Sequence, residues 1–120
     1  MAERQKRACV KAKARRTLVK SAPELWELAD DVARMEAWTA GLVGSTEPVP
    51  VEVTERRPER LLAWRSQGQR GTRIAIELAE KGFGTAVSIT ARNVAPGTAD
   101  ATLERLLDDL GSPERRPFAR

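Results

Sequence analysis

The side chains able to do acid–base or nucleophilic chemistry in this chain are few and scattered. There is no histidine and no tyrosine. Ser-His-Asp and Cys-His catalysis are therefore unavailable, and one cysteine cannot replace the missing imidazoles in the common zinc ligand sets. Acid–base work would fall to Asp, Glu, Lys or the lone thiol. Asp30 and Asp31 form an adjacent carboxylate pair, but neighbours on a helix point in different directions, so Asp30 reads as a local cap. Cys9 sits among Lys6, Arg7 and Lys11, cations that would lower a thiol pKa, yet it reads more simply as a small side chain in a strand. Gly82-Phe83-Gly84 is not a phosphate loop, because it lacks a following Lys-Ser/Thr pair and joins two strands. No cluster demands a catalytic role or a metal, and no cofactor is expected.

Charge is the second source of possible function. The net charge is +4, but residues 1–20 carry eight basic side chains against one acidic. Such an arm on a mildly acidic body suits an acidic surface or protein partner, yet it reads more simply as a solubilising lead into a strand. The single cysteine excludes an internal disulfide and fits a reducing compartment. No apolar run approaches the roughly 20 residues that span a bilayer. The start of the chain is charged and lacks the apolar segment of a secretory signal. The expected location is cytoplasmic.

The elements that must position these groups are legible from period. Ile74, Ile76 and Leu78 alternate with polar or small residues, as do Thr85, Val87, Ile89 and Ala91. Two such runs joined through Gly82 and Gly84, both read as positive-φ positions, predict an antiparallel hairpin with one apolar face. Residues 9–19 form a first strand with Lys11, Lys13 and Arg15 outward, and Arg16 breaks the pattern by falling inward. There it either snorkels to the sheet edge or needs an anionic partner. Ser21-Ala22-Pro23-Glu24 is a capping box, opening one helix or two short ones broken near Asp30-Asp31. Residues 40–48 read as a loop, Val49, Val51 and Val53 as an edge strand, and residues 55–59 as a turn. Leu62 and Trp64 mark the next strand, followed by a flexible loop over residues 66–71. Residues 93–98 form a linker in which Thr98, or Asp100 beyond it, can cap a final helix. Leu103, Leu106, Leu107 and Leu110 stripe that helix, which Gly111 and Pro113 stop. At 120 residues this is one domain spanning 9–111, with a basic disordered arm at 1–8 and a basic tail at 112–120 in which Phe118 is the one large apolar residue.

An antiparallel sheet with helices on one face is an α+β domain. At this level the residues resemble a known family. Ala22-Pro23-Glu24-Leu25-Trp26, then Asp30, then Trp38, is similar to the opening of the START-like SRPBCC superfamily, which includes polyketide cyclase-like and lipid-transfer-like proteins. Gly84-Thr85 is similar to the Gly-Thr that opens its last strand. The resemblance covers roughly residues 10–110. It implies a helix-grip fold, a curved antiparallel sheet wrapped on the C-terminal helix with an apolar pocket between them. This chain has about five strands where the family usually has seven, and the order 1-5-4-3-2 is expected.

The candidate ligand-binding residues follow from that architecture. They are Trp38 at a mouth, Leu62, Trp64, Ile76, Val87 and Ile89 from the sheet, and Leu103, Leu106 and Leu107 from the helix. Arg16 and Ser66 are the candidate polar pocket residues. The reading is a non-catalytic module for a small hydrophobic or amphipathic ligand. Its alternatives are a partner-binding protein with a filled core, acting through arm and tail, and a cyclase- or aromatase-type enzyme. An exposed edge at Val49–Val53 permits either a monomer or a homodimer.

Overall fold

The computed structural model describes residues 10–67, 71–94 and 99–111. The elements run β1 (Val10–Leu18), α1 (Ala22–Ala29), α2 (Val32–Val43), β2 (Val51–Arg57), β3 (Leu61–Ser66), β4 (Arg73–Lys81), β5 (Gly84–Val94) and α3 (Ala99–Gly111). All five strands form one antiparallel sheet in the order β1-β5-β4-β3-β2, as expected from sequence. The sheet curves around α3, which makes the fold α+β and helix-grip-like.

Alternation along the strands builds the inner face in rows. One row is Ala12, Ala91, Ile74 and Trp64, and the next is Ala14, Ile89, Ile76 and Leu62. Side chains are small on β1 and grow toward β3, so α3 lies close over the alanine side. It packs against β1 and β5 and against α1 and α2. Leu103, Leu106, Leu107 and Leu110 are all fully buried there. This is the stripe whose spacing predicted the helix.

The helical segment after β1 is two helices, and their caps explain the break. At α1 the Glu24 N–H donates to the Ser21 hydroxyl (3.3 Å), while the Glu24 carboxylate accepts from the Ser21 N–H (2.9 Å) and hydroxyl (3.0 Å). These accepted hydrogen bonds, the backbone one foremost, hold the Glu24 carboxyl below its ordinary range. Asp31, rather than Asp30, caps α2 by accepting from the Ala33 N–H at 3.0 Å. Asp30 ends α1 and receives Arg56 at 2.9 Å.

Several boundaries move outward from their sequence-based positions. The loop expected over residues 40–48 begins later, because Ala40 and Leu42 lie on the buried side of α2 and carry it on to Val43. Gly44, at φ 76°, then ends it in the left-handed region. The turn expected at residues 55–59 is displaced to 58–60, since pairing of Arg57 with Leu61 extends β2. A bulge between Val53 and Glu55 turns Arg56 toward the helices. Asn93 and Val94 belong to β5 instead of a linker. Cys9, the arm at 1–8, residues 68–70 of the expected flexible loop, the linker at 95–98 with Thr98, and the tail from 112 onward lie outside the described residues.

The β4–β5 hairpin corrects one glycine. Lys81 pairs with Gly84 across a two-residue connection in which only Gly82 has positive φ (59°), the type II′ pattern. Gly84 is glycine for another reason: a Cβ there would sit 2.0 Å from the Leu18 carbonyl oxygen. Two outcomes follow. Gly84→Ala should destabilise the fold by about 2–3 kcal/mol in urea denaturation, because the obstruction is backbone and cannot swing away. For Ser21→Ala, the lowered folded-state pKa of Glu24 fixes the sign: the cap's carboxylate contribution is present above the unfolded value and is lost as pH falls through the folded one. The stability gap between Ser21→Ala and the parent should therefore be widest at neutral pH and shrink in acid, measured by urea midpoints across that range.

Candidate functional site

The residues expected to line a ligand cavity do converge between the sheet and α3, but they fill that space. Leu62, Trp64, Ile76, Val87, Ile89, Leu103, Leu106 and Leu107 are each no more than 1% exposed. Almost none of their surface meets water, which is the condition of close-packed core. Trp38 is buried rather than open at a mouth, and its ring stacks on that of Trp64 with centroids 6.1 Å apart. Its indole N–H donates to Asp109 on α3 at 3.1 Å. The Trp64 N–H donates to the Thr39 hydroxyl (2.9 Å), which in turn donates to the Met35 carbonyl one helical turn back (2.7 Å). Every buried polar side-chain atom among the described residues has a partner.

Arg16 and Ser66 stand apart on the sheet. Arg16 stands on the inner face of edge strand β1, where its side chain remains 34% exposed. It reaches α3 and donates to Asp108 at 2.6 Å and Glu104 at 2.5 Å. The hydrogen bond to Asp108 leads in raising its pKa further above the ordinary guanidinium value. Ser66 lies three strands away at the end of β3, where its hydroxyl accepts from the Thr72 N–H at 3.0 Å and closes the β3–β4 connection. The signal for the Arg16 partners was present in sequence: Glu104 and Asp108 are one helical turn apart beside the leucine stripe. Thr39 had no such signal.

The chemistry this arrangement supports is limited. The buried polar side chains among the described residues are Thr39, Ser66, Thr72 and Thr85, and all the charged ones retain contact with solvent. No acid or base among the described residues is buried in the core. Outside, Lys11, Lys13 and Arg15 stand exposed along β1 as the alternation required. Among the described residues, no group of three or more possible ligands is placed to hold a metal. No helix there is long and apolar enough to cross a membrane.

No family profile and no curated protein sequence matches the chain. Solved structures do match it in fold. Aha1 from Colwellia psychrerythraea, determined as a dimer in solution, is 20% identical with a TM-score of 0.63, covering 88% of this chain and 99% of that one. Protein MLL2253 from Mesorhizobium loti is 16% identical with a TM-score of 0.65, covering 84% and 93%. CalU16 from Micromonospora echinospora is 16% identical with a TM-score of 0.63, covering 90% and 78%. The architecture is thus that of these small helix-grip-like proteins over nearly its whole length.

The Trp64–Thr39 relay yields a direct test. Thr39→Val leaves the indole N–H without an acceptor in a dry core, and should lower stability by about 1–3 kcal/mol in chemical denaturation.

Proposed function

We propose that this chain is a non-catalytic binding module, a shortened member of the START-like SRPBCC superfamily, that engages an acidic partner through its basic surface. The observation that carries the reading is the filled interior: the side chains that would line a ligand cavity pack on one another. What remains available for recognition is exposed charge. Lys11, Lys13 and Arg15 line the outside of β1, continuing the cations Arg4, Lys6 and Arg7 that precede it. The Ala-Pro-Glu-Leu-Trp opening and the fold shared with the Aha1 protein support the family membership. A cytoplasmic setting suits the single thiol. β2 and β1 are sheet edges, which admits self-association as a dimer.

A second reading, a small hydrophobic ligand held between sheet and α3, has one specific observation in its favour. The stacked Trp38–Trp64 pair lies beside α3, and part of the polar fixing of that helix is the exposed Arg16 pair with Glu104 and Asp108. Opening there would uncover aromatic surface.

One pair of measurements separates the two. On immobilised polyglutamate, the full chain should be retained at low salt and released as ionic strength rises, and removal of residues 1–8 or of 113–120 should weaken retention. Fatty acids and sterol-like compounds should leave the melting temperature and tryptophan emission unchanged. Retention insensitive to salt would refute the charge-based reading, and a rise in melting temperature with fatty acids would establish the second one.

A further inference from the structure

The outer face of the sheet carries a feature that folding alone does not favour. Strand register places Arg65 opposite Arg73, Arg73 opposite Arg92, and Arg92 opposite Lys11. Four cations thus stand side by side on four adjacent strands at about 4.8 Å intervals. Like charges directly opposite one another destabilise a sheet. Arg65 is neutralised at the end of the row by Glu52, which accepts from its Nε at 3.1 Å and its Nη2 at 2.9 Å. Arg73, Arg92 and Lys11 form no ion pair with any described residue. All three are exposed.

Next to this row the sheet surface is hollow. Ala63, Ala75 and Thr90 occupy the adjoining row, opposite one another, and their small side chains leave an open depression of about 400 Å³. Arg65, Arg73 and Arg92 line one side of it, and Glu77 and Thr54 also line it. The Thr90 hydroxyl has no hydrogen-bond partner among the described residues.

We propose that this depression binds a small ligand through a multiply charged phosphate or pyrophosphate head, held by Arg73 and Arg92, with Lys11 next along the row beyond them and the ligand's body over Ala63 and Ala75. Two guanidinium forks from directly opposed positions can share one phosphate, whereas a single carboxylate is saturated by one bidentate arginine. Three uncompensated cations call for an anion of at least two charges. The outer rows contain no aromatic side chain, so a nucleic-acid strand would find charge without a stacking platform. This site goes beyond the basic-surface binding proposed above, shares only Lys11 with it and uses none of residues 1–8, so loss of retention on removing 1–8 and loss of pyrophosphate binding in an Arg73/Arg92 variant test the two separately.

The test is a titration of the full chain with sodium pyrophosphate at low ionic strength, followed by amide resonances and by calorimetry. Saturable shifts are expected at Ala75, Thr90, Arg73 and Arg92. The double variant Arg73→Thr with Arg92→Thr should weaken binding by about tenfold or more, because both charge-assisted contacts go. The same variant should melt at a temperature equal to or higher than the parent, since it removes opposed like charges and substitutes a good strand former. Arg73→Lys with Arg92→Lys should fall between the two in affinity. Shifts centred elsewhere, affinity unchanged in the threonine variant, or binding to phosphatidic acid vesicles with none to pyrophosphate would each overturn the proposal.

Discussion

The contact between the leucine face of α3 and the alanine side of the sheet is the constraint on which the rest of the molecule depends. Four leucines of that helix are removed from water completely, each worth about 1.5–3 kcal/mol of burial. They can be removed only because Ala12, Ala14 and Ala91 keep the β1–β5 side shallow, while Trp64, Leu62 and Ile76 rise on the far side to meet them. A large residue at any of the three alanines would lift the helix and expose both surfaces together. The sheet's curvature and the pair α1–α2 close the remaining sides of this core.

Polar contacts then fix the position that apolar burial leaves loose. Hydrophobic contact is non-directional, so a leucine stripe alone allows the helix to slide or roll. Arg16 gripping Glu104 and Asp108, Asp109 receiving the Trp38 indole, and Thr102 donating to the Gly41 carbonyl (3.3 Å) hold it at three places. The exposed ion pairs contribute little energy individually, as solvent screens them. Their value is orientation. The Trp64–Thr39–Met35 relay does the same inside the core, tying β3 to α2.

The two faces of the sheet have opposite characters as a consequence. Inward, volume is used up and polarity is satisfied, which leaves a rigid wall. Outward, the same strand pairings that align Trp64 with Ile74 and Ala91 also align Arg65 with Arg73 and Arg92. The inner register is set by burial, so the outer row of cations cannot slip to relieve its repulsion. Charge is thereby held in a fixed pattern on a stiff platform, which is the condition for recognising an anion by geometry rather than by attraction alone.

How much of this was legible beforehand depends on the range of the interaction involved. Strand count, facing, hairpin position, capping box and leucine stripe all follow from periodicity or from chemistry spanning three or four residues, and a linear sequence displays such distances directly. Sheet order 1-5-4-3-2 followed from the same elements once the family resemblance supplied their arrangement. Element ends were placed less well at Val43, Arg57 and Val94, because tertiary burial and strand pairing extended them past local turn signals. Three matters were decided only by the folded chain. Whether the space under α3 is open or filled is a comparison of summed volumes against a backbone spacing that sequence does not contain. The Glu104–Asp108 spacing is visible in the sequence, but that Arg16 meets it, across 88 and 92 residues, is not. The cationic row joins residues of four strands, and only register, a cross-strand quantity, brings Lys11, Arg65, Arg73 and Arg92 into line.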